Sequence, residues 1–113
     1  VAIRSGKMVA FVGASGCGKS TMIALLQRFY DPTSGELRAN GRDVKSLNRC
    51  RYRRDMALVQ QEPVLYQGSI RENISLGIEK GNPSEAQIIE ACKSANVWDF
   101  VSSLPEGLDT ACG

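Results

Sequence analysis

The chain has 113 residues, 42% of them hydrophobic and 23% charged, with a formal net charge of +2. That is the size and balance of one soluble globular domain, and so small a charge gives no argument for nucleic acid or an anionic membrane as a partner. Four cysteines, Cys17, Cys50, Cys92 and Cys112, are widely spaced and the chain has no histidine, which removes the commonest partner in a zinc site and reads as reduced thiols in a cytosolic setting. No apolar run approaches the roughly 18 residues that span a bilayer, and no basic-then-apolar leader opens the chain, so it is expected neither to cross a membrane nor to be secreted. It begins at Val1 and stops on Ala111-Cys112-Gly113, and is expected to be a piece of something longer.

Met8 to Val12 is a continuous apolar run of strand length, the pattern of a strand buried on both faces of a parallel sheet. The stretch GASGCGKST, Gly13 to Thr21, follows it. From Lys19 onward, Met22, Leu25, Leu26 and Phe29 keep the i, i+3, i+4, i+7 spacing of a helix, and Pro32 disfavours helical geometry at Asp31, so the helix is expected to end near Tyr30. After the turn signal DPTSG, the segment GELRANGRDV holds Asn40-Gly41 between short extended pieces, which predicts antiparallel strands beside the parallel core. The basic run Arg49, Arg51, Arg53 and Arg54 has only Tyr52 interleaved, too little aromatic surface for a nucleic-acid ladder, and reads as a solvated face.

Met56 to Val59 is a second short apolar run, closed by the loop signal QQEP. PVLYQGSIRENISLG shows no clean period and reads as mostly loop with a short helix. Ser84 with Gln87 three residues on predicts a capped helix whose apolar face is Ile88, Ile89, Cys92 and Ala95. Val97, Val101 and Leu104 mark another short helix, ended by Pro105 and Gly107. There are no internal repeats and no low-complexity tract.

The spacing of Gly13, Gly18, Lys19 and Ser20 satisfies G-x-x-x-x-G-K-[ST], and a strand before it and a helix after it are the context that such a phosphate-binding loop requires. Triphosphate oxygens need several backbone N–H donors converging at close range, and glycines at 13, 16 and 18 let the backbone turn inward without side chains in the way. The helix that follows adds the positive end of its dipole. Lys19 is then the point charge for the β and γ phosphates, and the Ser20 hydroxyl a ligand of Mg²⁺. The nucleotide-binding set is Gly13, Ser15, Gly16, Cys17, Gly18, Lys19, Ser20 and Thr21. Cys17, beside the expected phosphates and Lys19, is expected to be sensitive to thiol reagents and shielded by nucleotide; the alternative is a small residue tolerated at a variable loop position.

Three stretches, VAFVGASGCGKSTMIALLQRFYDPTSGEL, ALVQQEPVLYQGSIRENI and VWDFVSSLPEGLDTACG, taken together resemble the nucleotide-binding domain of ATP-binding-cassette (ABC) transporters, most closely the exporters of the fungal multidrug type. The resemblance covers nearly the whole chain. It implies an α/β fold, a partial P-loop NTPase core with an antiparallel β subdomain and the start of a helical subdomain, with residues 1–113 forming the N-terminal part of one ATPase domain that stops before the signature motif and Walker B. It implies that ATP and Mg²⁺ are the cofactors. Lys19 and Gln61 would be the catalytic residues, Gln61 being the glutamine that contacts Mg²⁺ together with Ser20 and meets the attacking water. It implies two partners: a second nucleotide-binding domain, and the coupling helices of a transmembrane domain, met around Tyr66, Ile70 and Leu76; the alternative is that these three apolar residues belong to the core. Nucleic acid is not among them. The expected location is the cytoplasmic face of a membrane, as part of a larger integral membrane transporter, and there the sequon Asn73-Ile74-Ser75 would never meet the glycosylation machinery.

The chain departs from that family in having no LSGGQ signature, no Walker B carboxylates, no switch histidine and no upstream aromatic residue to stack on adenine. Alone it is therefore expected to hydrolyse ATP poorly, because the base and the opposing signature loop supply much of the positioning and charge neutralisation. Folding alone is also in question, since the family's sheet takes central strands from outside these residues. Two other readings stand beside the exporter: a truncated, non-hydrolysing nucleotide binder or pseudogene product, and a soluble ABC ATPase of DNA repair or translation. A GTPase fits less well, for lack of N-K-x-D and D-x-x-G.

Overall fold

The computed structural model describes all 113 residues, and they divide into two compact units, Val1–Leu58 and Val59–Gly113.

The first unit is organised around one helix and one hairpin. Helix α1, Lys19–Leu26, follows the glycine loop directly. It ends sooner than the spacing predicts, because Arg28 turns left-handed (φ 57°) and closes the helix: its N–H donates to Leu25 O (3.0 Å) and the Phe29 N–H to Ala24 O (2.9 Å). This is the double-bonded helix end that glycine usually provides. Strands β1, Arg38–Ala39, and β2, Arg42–Asp43, pair antiparallel, with Arg38 opposite Asp43 and Ala39 opposite Arg42. The Asn40-Gly41 turn between them is the one expected, with φ of 49° and 78°. A single turn of 3₁₀ helix, Val44–Ser46, is capped by Asp43, whose carboxylate accepts from the Lys45 N–H at 2.9 Å; it carries the unit's buried residue, Val44. Helix α2, Arg49–Arg54, is capped by the Asn48 side chain, which accepts from the Arg51 N–H at 3.1 Å.

The expected parallel strands are not formed. Met8–Val12 and Met56–Val59 join no ladder, and Met8, Val12 and Val59 are almost wholly exposed. A strand is defined by its neighbours' hydrogen bonds, and the 113 residues contain no segment that pairs with either run. The α/β character, the antiparallel hairpin and the helical part stand; the parallel core does not exist within this chain.

The second unit holds a small core. Strands β3, Gly68–Ser69, and β4, Ala111–Cys112, pair antiparallel, a contact between positions more than forty residues apart that no local signal announces. Ser69 and Glu72 close helix α3, Ile70–Ser75, with a reciprocal capping box, and Ser84 and Gln87 do the same for helix α4, Glu85–Ser94. Helix α5, Trp98–Ser103, follows and leads to a 3₁₀ turn, Gly107–Asp109. Ile88, Cys92, Val101 and Leu108 are buried together, with Ile70, Ile89 and Trp98 packed against them. Ala95, expected on the apolar face of α4, is exposed as its C-terminal cap. An ion pair, Arg71 Nε to Asp109 Oδ1 at 3.0 Å, ties α3 to the terminal turn at the surface.

Candidate phosphate-binding site

The loop Gly13–Gly18 is shaped by two glycines and one tight contact. Gly16 (φ 81°) and Gly18 (φ 97°) occupy backbone conformations that side chains rarely adopt, and a Cβ on Gly13 would stand 2.5 Å from the Cys17 sulfur. The Cys17 N–H donates to Ala14 O (3.2 Å) and folds the loop into a turn. Gly18 is the N-cap of α1 and, having no side chain, leaves the helix start uncapped; there is no acidic residue in the first turn. The first helical hydrogen bond runs from the Met22 N–H to Gly18 O (3.0 Å), so the Lys19, Ser20 and Thr21 donors precede the helical ladder. The Lys19 ammonium donates to Gly13 O and to Ala14 O (2.8 Å) and lies 3.6 Å from the Cys17 sulfur, over the loop.

These features suit an anion. Uncapped N–H groups, the positive end of a helix dipole and an ammonium converge on one exposed loop, and the absence of side chains at Gly16 and Gly18 keeps the backbone approachable. A chain of phosphates fits such a cradle. No cluster of three or more Cys, Asp or Glu side chains is present to cage a metal, and none is needed for Mg²⁺, which takes one or two protein ligands and fills its shell from phosphate and water. Ser20, exposed in the first turn of α1, offers a hydroxyl for that role.

The far end of α1 is built with equal care, and here the sequence reading of the basic run is corrected. Arg49, Arg51 and Arg54 are exposed as expected, but Tyr52 and Arg53 are half-buried against α1 and not part of that solvated face. The Tyr52 hydroxyl donates to Leu26 O (2.7 Å), and the Arg53 guanidinium donates to Gln27 O (2.9 Å) and Arg28 O (2.8 Å) while lying 4.8 Å over the Phe29 ring. Arg28 donates to Leu47 O (2.7 Å) and Lys45 O (3.1 Å) and pairs with Asp31. Burial raises the Tyr52 phenol above its ordinary value, with the nearby Arg28 charge partly opposing the shift. The unpaired carbonyls of the helix end were the missed signal: an eight-residue helix needs partners there, and tyrosine and arginine are long enough to supply them.

The profile of the family described as ABC transporter matches residues 1–109. The chain belongs to the ABC transporter family. It is 53% identical over 113 residues to "ABC multidrug transporter E" of Aspergillus fumigatus, covering 100% of this chain and 9% of that protein. It is also 53% identical over 111 residues to "ABC multidrug transporter atrD" of Emericella nidulans, covering 98% of this chain and 8% of that one. Among solved structures it is similar to a bacterial Atm1-family ABC exporter with ATP bound, at 38% identity and a TM-score of 0.80, over 88% of this chain and 17% of that one. The chain thus spans less than a tenth of the length of these fungal relatives.

In this ABC transporter chain, Gln61 belongs to the second unit and stands exposed in the irregular segment before β3, whereas the glycine loop belongs to the first. Of the three apolar residues expected at the surface, Tyr66 and Leu76 are exposed, and Ile70 is half-buried, packed against the Ile88–Leu108 cluster while also lining the groove that Tyr66 and Leu76 border. Tyr66 and Leu76 border a groove of about 720 Å³ whose walls also include Leu65, Ile74, Phe100 and Leu104. Its edge is held by Asn73, whose side chain accepts from the Tyr66 N–H (2.9 Å) and donates to Tyr66 O and Ser69 O (3.0 Å each). Phe100 was missed as part of this surface because helical spacing assigns it to the solvent side of α5 and says nothing of a groove. No helix of the chain is long and apolar enough to cross a membrane.

Proposed function

We propose that residues 1–113 are the N-terminal part of the nucleotide-binding domain of an ABC exporter, ahead of the signature sequence and the Walker B carboxylates, and that the glycine loop binds Mg-ATP. One observation carries the reading: in a member of this family, a loop opened by Gly16 and Gly18 leads into a helix whose N-terminus is left uncapped beside Lys19. The backbone donors of that loop, with Ser15, Cys17 and Thr21 around them, receive phosphate oxygens, and Lys19 supplies charge to the β and γ phosphates. Mg²⁺, when bound with the nucleotide, neutralises charge that develops on the phosphate oxygens. Ser20 would be its hydroxyl ligand, and by the family resemblance Gln61 would offer it a neutral amide that also orients the attacking water. Hydrolysis drives export in the longer protein, at the cytoplasmic face of a membrane. The apolar groove bordered by Tyr66 and Leu76 receives the coupling helices of a transmembrane domain, and a second nucleotide-binding domain completes the site.

The test is ATP hydrolysis and nucleotide binding by the full-length transporter in vesicles. Lys19→Ala is expected to lower hydrolysis at least about a hundredfold, as losing one preorganised charge contact at a reacting phosphate does. Gln61→Ala is expected to lower kcat with ATP affinity held within about threefold, the signature of an interaction made at the reaction and not in binding. Hydrolysis undiminished by Lys19→Ala would sink the assignment.

A further inference from the structure

Helix α1 lacks what usually fixes a helix in place. None of its residues is fully buried in this chain, and it is only eight residues long, about 12 Å from end to end. Its orientation within the first unit is set from its C-terminal end, where three successive carbonyls, Leu26, Gln27 and Arg28, are taken by the side chains of Tyr52 and Arg53. The fork of Arg53 bridges two of them, and its charge, with that of Arg28, lies at the negative end of the helix dipole. The positive end of the same dipole, one short rigid segment away, is the candidate phosphate site.

We propose that Arg53, assisted by Tyr52, is a positioning residue for nucleotide binding: from α2 it clamps the C-terminus of α1 and so holds the glycine loop and the first-turn donors at the other end in the geometry that phosphates need. The proposal rests on the reading of Gly13–Thr21 as a phosphate site. Arg53 touches no substrate; it acts through the helix. Displacing a helix by a fraction of an ångström at one end moves the N–H groups at the other, and donors converging on an anion tolerate little displacement.

The experiment measures ATP affinity and binding stoichiometry of the full-length transporter, wild type and four variants, with Mg-ATP as the probe. Arg53→Ala is expected to raise the dissociation constant about tenfold, or about 1.4 kcal/mol, with the number of sites unchanged. Arg53→Lys, which keeps the charge and loses the fork, is expected to fall between wild type and Arg53→Ala. Tyr52→Phe, which removes one hydrogen bond, should raise the constant by about threefold. A residue needed only for folding would instead lower the number of sites at an unchanged dissociation constant, and that result overturns the proposal. Should Arg53→Ala fail to fold, the lysine and phenylalanine variants decide, and wild-type affinity in both overturns it. Lys19→Ala separates the two readings: if neither it nor Arg53→Ala alters binding, the phosphate-site assignment has failed; if Lys19→Ala alone does, the clamp has failed and the site stands.

Discussion

Cys17 sits in the loop with its thiol exposed and 3.6 Å from the Lys19 ammonium, so a small reagent reaches it, and under the proposed reading a phosphate chain bound there would cover it. Maleimide labelling of Cys17 is expected to slow at least about tenfold when Mg-ATP occupies the loop. Equal rates with and without nucleotide would remove Cys17 from the site. Gly18 makes a different demand. At φ 97° a Cβ there is strained, by about 1–2 kcal/mol, so Gly18→Ala is expected to distort the helix start and weaken Mg-ATP binding about tenfold in a titration of the full-length protein. The glycines were legible because each follows from a fixed spacing and a local backbone need. The position of Ile70 was not, since a half-buried residue packed on α4 and the 107–109 turn cannot be told from an exposed one by a sequence lacking a clean period.

Elements were legible where their causes are local. The Asn40-Gly41 hairpin and the Ser84–Gln87 capping box formed where predicted, because the residues that make them lie within a few positions of one another. Helix α2 was missed because its hold is tertiary: Tyr52 and Arg53 reach carbonyls twenty-five or twenty-six positions away. That contact titrates. Burial raises the Tyr52 phenol above the ordinary tyrosine value of 10.0, so the folded state retains the proton that the unfolded chain gives up first. The stability this confers is complete below the unfolded value and is lost as pH rises through the raised one. Accordingly Tyr52→Phe should cost about 1 kcal/mol of stability near pH 8, and the difference from wild type should shrink as pH rises through the raised phenol value, in denaturant melts at that pH and in alkali. A gap that persisted into strong alkali would mean that the hydroxyl's hydrogen bond to Leu26 O is not what separates the two proteins.

At the scale of the whole chain, burial is the deciding quantity. A folded monomer of 12.3 kDa exposes about 6,100 Å². This chain exposes 9520 Å², and its fully buried apolar residues are Val44, Ile88, Cys92, Val101 and Leu108. Four of the five lie in the second unit, while Met8, Val12 and Val59 stand in water although their runs have the composition of buried strands. The composition of these runs asks for burial on both faces of a sheet, and the burial is not met here, since a parallel strand needs long-range neighbours and none of these 113 residues supplies one. Hydrogen exchange distinguishes the two parts. In the isolated 113-residue chain, the amides of Met8–Val12 are expected to exchange at close to unprotected rates, and those in the last two turns of α4 at least about a hundredfold more slowly, because the latter sit over the Ile88–Cys92 core. In the full-length transporter the same apolar run is expected to become as slow as α4, its N–H groups then donating to neighbouring strands. Protection of Met8–Val12 in the isolated chain equal to that of α4 would show that a ladder forms from these residues alone, and would restore a strand there to the fold of this chain.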